Sequence, residues 1–442
     1  MMATTGSMPA SVIIPAWNGR DYLPACLEAL LAQDYPDLEI IVVDNASTDG
    51  SADLVAETFS EVHLIRNKRN LGFAGGCNAG LKAARDDLLI LLNQDTQVHP
   101  GWLQALSYAL EGSKIGVAGC KILYPDGETM QHAGGWLEWP LGIAHHYGQG
   151  EPDAGEWDAP KPVEFVTGAA MAFRREVLER VGFLDEGFWP GYFEDIDFCF
   201  RARRAGYEVL YAPEAKLSHA ESTSISEQAH ISEFYQRGRL RFLLKHLPPD
   251  RFLAEFVPAE EAYQWPAILG YESQALRLAY LKAIADAGAI LRHRWQADAG
   301  TIDAVLRALR RLHQLAWASD WKKVEESLAG TLPPVGAEDE PPALREFEFE
   351  SETPLLGPWL ARFRRFWYGI AARWAVRFLA QQQEAINRRQ ETINRRQAAS
   401  QQHYVQALER RLMELTEEHS LLVREVADLK LESKPGVDDN TV

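Results

Sequence analysis

The chain has 442 residues, 46% of them hydrophobic, enough for two or three domains with sizeable cores. Its formal net charge of −18 argues against nucleic acid as a partner, because binding phosphates needs a cationic footprint. Four cysteines, Cys26, Cys77, Cys120 and Cys199, lack metal or redox spacing and are expected reduced and buried.

The N-terminal stretch MMATTGSMPASVIIP has no basic region followed by a long apolar run. No apolar stretch reaches the ~20 residues that span a bilayer, so a cytoplasmic protein is expected. SVIIP (11–15), LEIIVVD (38–44), VHLIR (62–66), LLILL (88–92) and IGVAG (115–119) read as strands. Their continuous apolar character suggests burial on both faces. Helical patterns alternate with them: 21–30, a segment after Ser47-Thr48-Asp49, 77–85, and one opening near Pro100. This alternation predicts an α/β fold with a doubly wound, mostly parallel sheet, whose ligands bind at the carboxyl ends of the strands. Residues 125–165, rich in Gly, Pro, Trp and His, read as a long functional excursion. Sheet-like pattern returns at 163–175 and 207–212.

The second half divides by composition. Residues 226–330 read as a helical extension and 331–357 as an acidic, Pro-rich linker. Residues 358–380 read as a basic, aromatic amphipathic helix, carrying Arg362, Arg364, Arg365, Arg373 and Arg377 among Trp359, Phe363, Phe366, Trp367 and Trp374. It suits either anionic headgroups on the inner face of the cell membrane or the protein's own acidic surface. Over 381–432, AINRRQE is followed by TINRRQA, and a heptad seam runs from Leu408 to Leu429. That predicts a coiled coil and a homo-oligomer, against a lone helix packed on its own domain. Residues 433–442 are an expected disordered tail.

Four stretches fall where strands should end: PAWNGRDYL (15–23), VVDNASTDGS (42–51), RNLGFAGGCNAG (69–80) and LLNQDT (91–96). Asp44 can accept a hydrogen bond from a base or a ribose, or cap a helix. The glycines of GFAGGCNAG allow close backbone approach to a ligand, or plain turns. Asp95 ends an apolar strand as a hard-cation ligand or a turn aspartate. Further on, YFEDIDFCFR (192–201) packs Glu194, Asp195 and Asp197 among large aromatics. A solvated helix start explains the charge but not Trp189 and Phe193 beside it.

In this order the motifs resemble glycosyltransferase family 2 over roughly residues 10–225, and rhamnosyltransferase-like members within it. The resemblance implies a GT-A domain over 1–225, a nucleotide-diphosphate sugar donor, a divalent metal (Mg2+ or Mn2+) and inversion at the anomeric carbon. It assigns donor binding to Pro15, Ala16, Trp17 and Asn18, to Asp44 and Asn45, to Arg66, Asn70, Gly75 and Asn78, and to Asn93 and Gln94. Asp95 and His219 become the metal ligands. The family's first motif aspartate is Asn93 here and the middle residue is Gln94, so one carboxylate remains. Asp195 becomes the general base, expected to be ionised at a helix start. Glu194, Trp189 and Tyr192 contact the acceptor, Asp197 supports, and 166–175 forms the acceptor floor. The expected acceptor is a glycan or lipid-linked glycan, and the best donor sugar L-rhamnose. A nucleotidyltransferase would want a Gly-rich loop ending in Arg or Lys after the first strand, which PAWNGRDYL lacks. A catalytically weak scaffold, assembling a glycan-synthesis complex through the coiled coil, is the remaining alternative.

Overall fold

The computed structural model describes residues 8–220, 225–263 and 271–329. All of them fall in one compact unit, Met1–Leu332. The linker, the basic aromatic helix, the coiled coil and the tail lie outside the described residues.

The sheet opens with β1 (Ala10–Ala16), α1 (Leu23–Leu31), β2 (Leu38–Asp44), α2 (Ser51–Thr58), β3 (His63–Arg66), α3 (Gly72–Ala83) and β4 (Leu88–Leu92). After β5 (Thr96–Val98) and α4 (Trp102–Ala109) comes β6 (Ile115–Leu123). The excursion forms β7 (Met130–His132), the hairpin β8 (Gly135–Glu138) and β9 (Ile143–His146), and β10 (Lys161–Pro162). Then follow β11 (Ala170–Arg174), α5 (Arg175–Val181), α6 (Glu194–Arg204) and β12 (Glu208–His219).

The strand order is β10-β12-β6-β11-β4-β1-β2-β3. The long strands run parallel in two blocks, β4-β1-β2-β3 and β6-β12. Antiparallel β11 joins the blocks, and short β5, β7 and β10 are antiparallel at the margins. The expected doubly wound sheet is thus present, with one reversed strand inside it.

The strands are apolar throughout because both faces are covered. Ile13, Ile41 and Val43 pack under α3 and near α6, whereas Val12, Ile14, Ile40 and Val42 pack against α1 and α4. Each such side chain contributes about 1.5–3 kcal/mol on burial. All four cysteines are free and buried.

The Gly-rich stretch is a correction to the sequence reading. GFAGGCNAG is not a loop: it forms the first turns of α3, which starts at Gly72. Its glycines let a helix lie directly on the sheet. A Cβ on Gly80 would fall on the Ile13 methyl, and one on Gly76 would come within 2.6 Å of Asn45 Nδ2.

The helical extension is α7 (Ile225–His246), a short α8 (Pro249–Arg251), a π-helical turn at Phe252–Phe256, α9 (Val257–Ala262), α10 (Tyr271–Trp295) and α11 (Ala299–Ala329). It has its own core of Leu240, Leu243, Leu244, Phe252, Phe256, Tyr280 and Val305. Arg239 on α7, fully buried, forms a two-pronged ion pair with Glu260 (2.6 and 3.0 Å) and donates to the Leu141 carbonyl at the tip of the β8–β9 hairpin. Tyr280 completes the cluster by donating to Glu260 at 2.7 Å. Among the described residues, no helix is long and apolar enough to cross a membrane.

Candidate active site

The carboxyl ends of β1, β2 and β4 form one rim, and their loops are knitted together by short polar side chains. Gln94 clasps the first loop: its Oε1 accepts from Trp17 N (3.0 Å) and its Nε2 donates to Trp17 O (3.1 Å). A carboxylate at 94 could not donate the second bond. Asn18, at φ +50°, accepts from Thr48 N through Oδ1 (2.9 Å), and its own N–H donates to Ser47 Oγ (2.9 Å). Asp44, buried at the end of β2, accepts from Ser47 N at 3.1 Å. Asn45 donates to Gly72 O (3.1 Å) and accepts from Asn67 (2.9 Å). Pro15 and Ala16 end β1, and Trp17 stands 54% exposed above the rim. Asn70 caps the turn before α3 by accepting from Gly72 N (2.8 Å), and Gly75 lies one turn into that helix against Leu71.

Two expected donor residues face elsewhere. Arg66 pairs with Asp53 (2.7 Å) and donates to Ala52 O, binding β3 to α2. Asn78 is buried with its amide wholly engaged: it donates to Leu184 O and Glu186 and accepts from Leu184 N. It clamps the segment leading to α6.

At the end of β4, Asp95 Oδ1 lies 3.1 Å from His219 Nε2, at the end of β12. Gln131 Oε1, an acceptor, lies 2.7 Å from His219 Nδ1. That bond orients the ring through Nδ1 and turns Nε2 towards the carboxylate. Asn93 Nδ2 lies 3.3 Å from the same Nε2. Two ligand atoms about 3 Å apart, with a second residue orienting the imidazole, suit adjacent positions on one divalent cation. Among the described residues, no cluster of three or more His, Cys, Asp or Glu side chains has metal-site geometry, so the protein would supply only part of a coordination shell. A cation that keeps waters and substrate phosphates as its other ligands fits such a site.

Asp95, Asn93 and His219 share a cavity of about 460 Å³ with Glu194, Asp195 and Tyr192. The chain enters α6 through two left-handed residues, Tyr192 (φ +76°) and Phe193 (φ +74°). Such backbone costs about 1–3 kcal/mol per residue and persists only where packing overdetermines it. Phe193 is buried against Tyr235 and Phe242 of α7, and a Cβ on Gly238 would reach within 2.5 Å of the Tyr192 carbonyl. The turn aims Asp195 at the cavity floor, where it accepts from Gly168 N (2.7 Å) and Ile196 N (2.7 Å). Glu194 is only 5% exposed, and its Oε2 has no partner. Trp189 lies half-exposed against Gly72, outside the cavity lining.

Residues 11–182 match the sequence profile of glycosyl transferase family 2. Over these residues the chain is similar to that family. Its mixed sheet is covered on both faces and carries the polar site at the carboxyl rim. It is 32% identical over 250 residues to an uncharacterized protein of Sinorhizobium fredii, covering 53% of this chain but 27% of that protein. It is 27% identical to an N-acetylglucosaminyl-diphospho-decaprenol L-rhamnosyltransferase of Mycobacterium tuberculosis, over 51% of this chain and 81% of the relative. Among solved structures, GalNAc-T7 with UDP, GalNAc and Mn2+ aligns over 66% of this chain and 58% of its own, at 15% identity and a TM-score of 0.47.

The acids at the start of α6 depart from one sequence expectation. A helix start was expected to keep them ionised; instead, burial pushes Glu194 well above the usual carboxylate range, helped by the charge of Asp195. Burial also raises Asp195, and the N–H groups of Gly168 and Ile196 pull against that rise. Burial thus raises both acids, and the backbone donors hold Asp195 below Glu194. The supporting role expected for Asp197 proves larger than capping. Fully buried, it is held by His246 (2.8 Å), Lys245 (2.6 Å) and Arg201 (2.9 Å). Burial alone would raise its pKa, but these partners reverse the effect and hold it well below the usual range.

Sequence reasoning missed Gln131, His132, His146, Lys245 and His246. The first three lie in the excursion, whose residue types signalled function without signalling partners. The last two lie on a helix beyond the family resemblance.

Proposed function

We propose that this chain is a metal-dependent, inverting glycosyltransferase that moves a sugar from a nucleotide-diphosphate donor to a hydroxyl of a lipid-linked or polysaccharide acceptor. The observation that carries this reading is that Asp195 and the Asp95–His219 pair open onto one cavity at the sheet rim. The nucleotide lies along the knitted loops, with Asp44 reading base and ribose and Trp17 free to stack. The acceptor oxygen attacks the anomeric carbon as the bond to the diphosphate breaks, and its proton passes to Asp195. Such a base contributes on the order of a hundred- to ten-thousand-fold. Its raised basicity suits the task, because a base tuned towards neutral pH takes the proton more readily. A divalent cation at Asp95 and His219, when bound, offsets charge on the departing diphosphate. Among the described residues lining the cavity none is Lys or Arg, so no side chain there substitutes for it.

Similarity to the mycobacterial enzyme supports L-rhamnose, carried as dTDP-L-rhamnose, as the donor sugar. We place the protein in the cytoplasm, as a homo-oligomer through 381–432, meeting the inner face of the cell membrane through 358–380; deletion of 355–380 should abolish sedimentation with anionic liposomes. The test of activity is release of nucleoside diphosphate from a panel of nucleotide sugars, with Mg2+ or Mn2+. Release that needs the cation and is lost in Asp195→Asn is expected. A scaffold, which the altered Asn93-Gln94 motif would favour, releases none.

A further inference from the structure

The excursion places two histidines where the family motifs do not reach. β7 pairs with the end of β6, and the β8–β9 hairpin folds back so that His132 and His146 meet at the cavity wall. Their Nδ1 atoms lie 2.8 Å apart, and both rings pack on Phe165. Burial and mutual proximity hold His132 well below its ordinary pKa; burial, then His145, brings His146 down to about 4. Two neutral imidazoles sharing one Nδ1–H bond carry their second proton on the outer nitrogen of whichever ring accepts. His132 is 1% exposed, and that outer nitrogen, Nε2, has no partner. The other unpartnered polar atom at this cavity is Glu194 Oε2. The cavity is lined by three acids, Asp95, Glu194 and Asp195, and among the described lining residues there is no Lys or Arg.

We propose that His132, backed by His146, together with Glu194, reads the hydroxyls of an uncharged sugar ring in the acceptor, and that the cavity rejects acceptor sugars whose ring bears a carboxylate. The inference rests on the transferase reading and adds the substrate class. A hydroxyl both donates and accepts, so it satisfies either tautomer of the histidine pair; a carboxylate only accepts, and here it would face like charge in a desolvated pocket. Phe165, Tyr192 and Tyr235 supply ring faces for the sugar's apolar side.

The experiment uses the full chain and matched neutral and acidic pyranosides: methyl glucoside against methyl glucuronide, and methyl galactoside against methyl galacturonide. Binding is read by ligand-observed NMR in the presence of nucleoside diphosphate and Mg2+. At least one neutral glycoside should bind about tenfold or more tighter than its acid. His132→Phe, which keeps a ring against Phe165, should weaken that glycoside by about tenfold. Gln149→Arg, at an exposed position on the cavity edge, should shrink the preference severalfold. Acids binding as well as neutral sugars, no glycoside binding, or both variants keeping the wild-type ratio would overturn the proposal. Donor cleavage is assayed separately: if no nucleotide sugar is hydrolysed, the transferase reading itself fails, whereas cleavage without sugar preference sinks only the substrate class.

Discussion

The two faces of α6 carry the same chemistry to opposite ends. On the cavity face, Glu194 and Asp195 are buried with backbone N–H groups for company, and burial raises both. On the face towards the helical extension, Asp197 is buried just as deeply and driven the other way by His246, Lys245 and Arg201. A carboxylate's behaviour in a core is therefore set by the cations supplied to it, not by its helix or its depth. One face keeps a reactive acid pair; the other locks the helix that carries it.

The comparison can be broken from either side. Asp195→Asn should cost about 10²–10⁴ in kcat, measured as nucleoside diphosphate release with acceptor present, while thermal unfolding shows a folded protein. In the wild type, kcat should fall on acidification along a limb lying above the usual aspartate range, because the folded-state pKa of Asp195 is raised. Asp197→Asn strands Lys245 and His246 and should destabilise by about 3–5 kcal/mol by denaturant titration. The sign follows from the depressed pKa of Asp197: its contribution is full above the unfolded value near ~3.9 and is lost as pH falls towards its folded value. The stability gap between wild type and Asp197→Asn should thus close in acid.

A subtler change sits behind the metal pair. Gln131→Leu removes the acceptor that orients His219, and Mn2+ affinity, read from cation-induced thermal stabilisation, should drop about 10–100-fold. The smallest effect has the opposite sign. Glu194→Gln relieves a raised acid whose cost grows as pH climbs above about 4.3, the unfolded value. Its melting temperature should exceed wild type by about 2–4 °C at pH 8 and match it at pH 4.

What was legible in the sequence follows physical range. Runs such as LEIIVVD and LLILL announce themselves because burial on both faces leaves no polar positions, and the polar residues after them must fall on one rim. YFEDIDFCFR likewise signalled a site, since charge among aromatics has no bland explanation. The glycines of α3 misled because close approach to a sheet and close approach to a ligand demand the same residue. Asn78 and Arg66 misled similarly: a polar side chain near a site can spend its bonds on the scaffold. The histidine pair and the cations around Asp197 come from partners up to 49 positions apart in the chain, a separation at which local pattern carries no information.

Arg239 gives the molecule an unexpected indivisibility. Its guanidinium ties α7 to the hairpin tip at Leu141 and, through Glu260 and Tyr280, to two further helices. A shortened chain ending near residue 225, where the family likeness fades, would not keep this site intact. It would leave Asp197 without Lys245 and His246, two of its three partners, Phe193 without its cover and the hairpin tip without its donor. The helices after residue 225 are thus as much a requirement of this site as the sheet itself, and transplanting the sheet alone into another protein would move the motifs without their support.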